Sequence, residues 1–168
     1  MANQEYSRKL MAEFDKRKSA DYLENKKKIQ ELKKRSSGAV DEFFHEKHEE
    51  VFSGMDCLEC ANCCKTISPI ITQEDMDALA KHLRISVTQL LKAYIEMDEE
   101  GDFVFKQTPC PFLDTDNKCK VYESRPKACK QYPHTNRRKM KQILDLTLQN
   151  SLTCPAVWKM LGDFGLLS

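Results

Sequence analysis

Residues 57–64 read Cys57-Leu-Glu-Cys60-Ala-Asn-Cys63-Cys64, four of the chain's eight cysteines within eight positions. Two-residue gaps between thiols recur where several sulfurs converge on one metal centre. On a helix, at about 100° per residue, Cys57, Cys60 and Cys64 share one face within roughly 60°, and Cys63 points aside. In a loop, Cys57, Cys60 and Cys63 have the spacing that wraps a four-iron cluster. In neither geometry do the adjacent Cys63 and Cys64 readily aim both sulfurs at one ion. The run therefore points to a bridging thiolate or to two neighbouring centres.

The remaining cysteines, Cys110, Cys119, Cys129 and Cys154, follow in the second half, and residues 1–56 contain none. Each stands where local structure would hold a ligand still. Cys110 lies between Pro109 and Pro111, and Cys119 lies in the β-like stretch Lys118–Tyr122. Cys129 falls on a short helix begun at Ser124, and Cys154 precedes Pro155. Eight thiolates are about twice what one four-coordinate ion takes. The expectation is a polynuclear zinc or iron site, or an iron–sulfur cluster of the four-iron, four-sulfur type. All eight cysteines would be ligands, and folding would depend on the metal. His45 and His48, at i and i+3, could reach one metal, but among so many thiols they read as surface histidines.

The compartment supports thiols over disulfides. The N-terminus MANQEYSRKLMAEFDKRK lacks the apolar core of a secretory signal, and no stretch approaches the roughly 20 apolar residues of a membrane span. A cytoplasmic placement is expected, with no membrane partner, and there clustered cysteines stay reduced. The chain of 168 residues, 40% hydrophobic and 32% charged, suits one modest domain with an appendage.

Hydrophobic spacing gives a mostly α fold with a small β-hairpin element. Residues 3–35 read as one long polar helix with a thin stripe of Tyr6, Leu10, Phe14, Tyr22, Ile29 and Leu32, broken by Ser36-Ser37-Gly38. Its 11 basic residues face 6 acidic ones. Further helices are expected at 39–53, 73–83 behind a Thr72 cap, from Ser86 through Ile95, 136–150 and 155–161. The hairpin is expected to join Phe103–Phe105 to Lys118–Tyr122. Asp114–Asn117 is turn-like and lacks the residues of a calcium loop. The organisation expected is a polar N-terminal extension over 1–38, then a compact, metal-stabilised cysteine-cluster domain over 39–168.

The ordered set Cys57-x2-Cys60-x2-Cys63-Cys64, Pro109-Cys-Pro-Phe-Leu113, Lys118-Cys-Lys-Val-Tyr122, Arg125-Pro-Lys-Ala-Cys129 and Tyr132-Pro133 resembles the bacterial cysteine-cluster family, a zinc- or iron-chelating domain. With its closing Cys154-Pro155 it is also similar to the cysteine-rich region of flagellin lysine N-methylase. The resemblance covers about residues 55–157. It implies that all eight cysteines belong to the site and that Arg125 donates hydrogen bonds beside a ligand. It brings no settled reaction.

A metal-binding protein holding zinc or iron is thus the leading reading. An iron–sulfur enzyme of redox or lysine N-methyl-transfer type is the alternative, weakened by the lack of a glycine-rich nucleotide or S-adenosylmethionine loop; the enzyme question leans to no. A metal-stabilised nucleic-acid module is a third reading. It rests on residues 118–141, where nine basic side chains face only Glu123 and could meet an anionic partner. Nothing in the sequence names a protein partner.

Overall fold

A computed structural model describes residues 2–165. The long N-terminal helix is in fact two, α1 (Ala2–Arg17) and α2 (Tyr22–Lys34). The interruption corrects the phase of the apolar stripe, so that Leu10 and Phe14 of α1 and Ile29 and Leu32 of α2 are all buried. Asp21 sits in the break, accepting hydrogen bonds from Trp158 Nε1 at 3.0 Å and from Arg17 at 3.3 Å. Ser36 then caps α3 (Ser37–Gly54) by accepting from the Ala39 amide, satisfying one of the donors a helix start leaves open.

The chain divides into two compact units: Met1–Cys60 together with Pro133–Ser168, and Ala61–Tyr132. The first, here the outer unit, is helical. It contains α1 to α3, the single turn α4 (Cys57–Cys60), α9 (Leu144–Asn150) and α10 (Pro155–Gly162). Helix α10 packs on α1, α2 and α3, and its Val157, Met160 and Leu161 join Phe14, Phe44 and Val40 in the core. Pro155 occupies its first turn, where a missing amide is harmless. The helix expected over 136–150 begins late. Lys139 is left-handed (φ 62°), and a 3-10 turn, Met140–Ile143, precedes α9. The cause is Asp41, whose carboxylate accepts from the Lys139 and Met140 amides at 2.9 and 2.8 Å and so fixes that turn.

The second, inserted unit holds α5 (Asn62–Thr66), α6 (Gln73–Leu83), α7 (Val87–Tyr94), a two-stranded antiparallel sheet and α8 (Lys127–Gln131). Thr72 and Asp75 form a reciprocal capping box at α6, and Ser86 and Gln89 form another at α7. The hairpin exists, with a different partner from the one expected. Strand β1 (Ile95–Met97) pairs with β2 (Phe103–Phe105) in the register Ile95 to Phe105. The intervening turn is closed by Asp98, whose carboxylate accepts from the Glu100 and Asp102 amides, and by Gly101 at φ 86°. Lys118–Tyr122 contributes only one bridge, Leu113 to Cys119. The inserted unit's core gathers Met76, Leu79, Leu90, Ile95, Phe105 and Phe112, with Cys110 and Cys119 packed against it.

Leu79 has no exposed surface. Leu79→Ala should therefore cost about 2–5 kcal/mol, whereas Thr72→Ala, which removes a cap, should cost about 1 kcal/mol. Urea unfolding of the two variants should rank them in that order.

Candidate functional site

The cysteine run is divided by backbone conformation. Ala61 is left-handed (φ 48°), so α4 ends at Cys60 and α5 starts afresh at Asn62. Cys57 and Cys60 belong to the outer unit, whereas Cys63 and Cys64 belong to the inserted one.

In the outer unit, α4 is placed by Asp56. Its amide donates to Ser7 Oγ at 3.0 Å, and its carboxylate accepts from the Leu58 amide at 2.9 Å. One turn of helix then leaves Cys57 exposed and Cys60 buried. Cys154, at the start of α10, is buried as well. Burial pushes its thiol up to about 12, and Cys57 and Cys60 are near enough to raise it further.

In the inserted unit, Cys63 and Cys64 share α5, their sulfurs 4.0 Å apart. The Cys64 carbonyl accepts from the Cys110 amide at 2.8 Å, tying α5 to the Pro109-Cys-Pro111 stretch. Cys64 is the acidic thiol. A hydrogen bond from Cys63 lowers it to about 7 against the opposing effect of burial, helped by its own amide and by Lys65 and Arg125. Burial instead pushes Cys110 to about 11 and Cys129 to about 12, and raises Cys119. The Cys64 charge raises all three further. Arg125 donates to the Tyr122 carbonyl at 2.6 Å, and its guanidinium lies 3.7 Å from the centre of the Tyr122 ring. Its charge reaches Cys64, Cys119 and Cys129. The role of Lys65 was not drawn from the sequence; its position beside Cys64 was the available signal.

This arrangement corrects the metal expectation. Among the described residues no group of three or more His, Cys, Asp or Glu side chains is placed to hold a metal ion. All eight cysteines are reduced thiols, and they are dispersed rather than converged. Cys57, Cys60 and Cys154 lie in one unit, and Cys63, Cys64, Cys110, Cys119 and Cys129 in the other. Zinc, iron and a four-iron cluster as cofactors, and metal ions as partners, are therefore not supported by the donor geometry. The iron–sulfur enzyme and the metal-stabilised nucleic-acid module, which presupposed the same centre, fall with it.

The histidine pair is engaged otherwise. His45 Nε2 donates to the Arg137 carbonyl at 3.0 Å, while His48 Nδ1 meets Thr135 Oγ1 at 2.9 Å and its ring packs on Phe52. The basic stretch 118–141 is shared between the two units. Lys118 and Lys120 pair with Asp116 and Asp114, and Lys141 donates to the Arg35 carbonyl. Among the described residues no helix is long and apolar enough to cross a membrane.

Residues 56–154, more than half of the chain, match the family described as "CxxCxxCC: Putative zinc- or iron-chelating domain", and the chain belongs to that family. It is also similar to a protein of Methanocaldococcus jannaschii named Uncharacterized protein MJ0661, with 32% identity over 82 residues. That alignment covers 47% of this chain and 44% of the relative, so the chain spans under half of the relative's length. No solved structure matches.

The raised thiols set a pH dependence. A thiol at 9.0 in the unfolded chain and at 11 to 12 when folded favours the folded state fully below pH 9.0. That contribution is lost as pH rises towards 11 to 12, because only the unfolded chain then releases the proton. Urea midpoints should fall from about pH 9 upward, and Cys154→Ala should flatten that fall. An unchanged slope in the variant would show that Cys154 ionises alike in both states.

Proposed function

We propose that this member of the CxxCxxCC family is a thiol-reactive protein whose working group is the Cys64 thiolate, exchanging with disulfides and resolving through Cys110. The observation that carries the reading is the pairing of Cys64 with Cys63, sulfur to sulfur at 4.0 Å, beside a backbone already joined to Cys110. The thiolate, not the thiol, is the nucleophile. At pH 7 a thiol of that pKa is about half ionised, against about 1% for a thiol at 9.0.

In the proposed step the Cys64 sulfur attacks a low-molecular-weight disulfide, RSSR. A Cys64–S–S–R bond forms, the RS–SR bond breaks, and RS⁻ leaves to take up a proton. Cys110 then gives up its proton and attacks the Cys64 sulfur, expelling the second RS⁻. In sum the protein dithiol loses two electrons and two protons, and RSSR becomes two RSH. Cys110 suits the resolving role better than Cys63. The Cys110 amide donates to the Cys64 carbonyl at 2.8 Å, so the two backbones run side by side, and a disulfide spans Cα atoms roughly 4.4–6.8 Å apart. Sequence neighbours are only about 3.8 Å apart. The role of Cys63 is to donate its S–H to the Cys64 thiolate, and that of Arg125 and Lys65 is to favour the charge. A reducing compartment such as the cytoplasm would return the pair to thiols.

Iodoacetamide labelling followed by peptide mass spectrometry tests this. At pH 7 Cys64 should react roughly five- to tenfold faster than a thiol at 9.0, the larger ionised fraction being partly offset by the lower nucleophilicity of an acidic thiolate. Its rate should rise around pH 7. Treatment with oxidised glutathione should yield a Cys64–Cys110 disulfide, and Cys64→Ser should abolish it. Labelling of Cys64 that rises only near pH 9, or a disulfide map without Cys64, would refute the proposal.

A further inference from the structure

Away from the cysteines, the outer unit contains a polar cleft of about 210 Å³ lined by residues of α1, α2 and α10 and by Asp21 and Asp163 at their ends. Its ionic groups are mostly satisfied by one another. Arg17 lies 3.6 Å from Glu13 and 3.3 Å from Asp21. Lys28 lies 3.0 Å from Glu24 and donates to the Gly162 carbonyl at 3.3 Å. Lys159 pairs with Oδ1 of Asp163. Two polar atoms of the lining residues are buried without a hydrogen-bond partner: Asn25 Nδ2 and Asp163 Oδ2. Asn25 is only 2% exposed. Buried groups of this kind are rare in folded proteins and call for a cause.

We infer that this cleft binds a small organic ammonium ion that also carries a hydrogen-bond acceptor. The ammonium donates to Asp163 Oδ2, and the acceptor receives from Asn25 Nδ2. Charge selects the cation. Glu13, Asp21, Glu24 and Asp163 face Arg17, Lys28 and Lys159, leaving the wall one positive charge short. Size limits the ligand, since at roughly 30 Å³ per water-sized group the space takes a molecule of about five to seven heavy atoms. Neither orphan atom is reached by solvent as the side chains stand. The side chains of Glu24 and Lys159, 58% and 36% exposed, are long enough to shift and admit the ligand. Trp158, buried in the same wall, forms its apolar part.

Trp158 is the chain's only tryptophan, so its fluorescence reports the cleft directly. The full chain is titrated with glycinamide, which carries both groups, and with ethylammonium, acetamide and acetate, each of which lacks one of the two. Glycinamide should give a saturable change at a concentration at least about tenfold below that needed with the others, the difference made by one charge-assisted hydrogen bond. Asp163→Asn should weaken glycinamide by about the same factor while leaving the far-ultraviolet circular dichroism unchanged. No saturable change with the unaltered chain, equal response to glycinamide and either single-function probe, or preference for acetate would overturn the inference. Each would mean that water alone satisfies the two atoms. Those comparisons need only the unaltered protein, so they stand if Asp163→Asn does not fold.

Discussion

One hydrogen bond, from the Cys110 amide to the Cys64 carbonyl at 2.8 Å, joins the two stretches of the inserted unit on which its chemistry depends. Helix α5 is only five residues long and none of its residues is buried, so little of its own packing would hold it. The Pro109-Cys-Pro111 stretch is anchored through Phe112, which sits in the core against Phe105 and Tyr94. The hydrogen bond transmits that anchorage to α5. It also brings two sulfur-bearing residues side by side in a part of the chain where sequence distance alone would keep them apart.

Electrostatics then sorts four chemically identical side chains, Cys64, Cys110, Cys119 and Cys129. A thiolate against the hydrophobic core is disfavoured by lost hydration, which is why Cys110, Cys119 and Cys129 stay protonated. Of these, Cys64 gathers a sulfur donor, its own amide and two cations. Once it is charged, it makes ionisation of its neighbours harder still. The group therefore behaves as one thiolate among thiols, which is the opposite of the multiply ionised set a metal centre would require.

Much of the fold was legible in the residues. Thr72 and Ser86 announced their helices because capping is local chemistry. Pro155 likewise marked the start of α10. What escaped was decided at a distance. Asp41 delays a helix almost a hundred residues further along the chain. The strand opposite Phe103–Phe105 was chosen by the Asp98–Asp102 turn rather than by β-propensity. For the site, the eight cysteines and Arg125 could be singled out, but not their partition. The left-handed turn at Ala61 carries no glycine to announce it, and the contrast between Cys64 and Cys110 depends on burial that no spacing encodes.

The chain enters the inserted unit after Cys60 and leaves it before Pro133, so the outer unit is discontinuous in sequence. During synthesis from the N-terminus every residue of the inserted unit is made before α9 and α10 exist. Helices α1 to α3 must wait with Phe14, Val40 and Phe44 exposed until α10 arrives to cover them. Apolar surface left uncovered in a nascent chain invites association with other chains and with chaperones. The stretch of translation between residues 60 and 155 is therefore the interval in which this protein is most dependent on the cell that makes it.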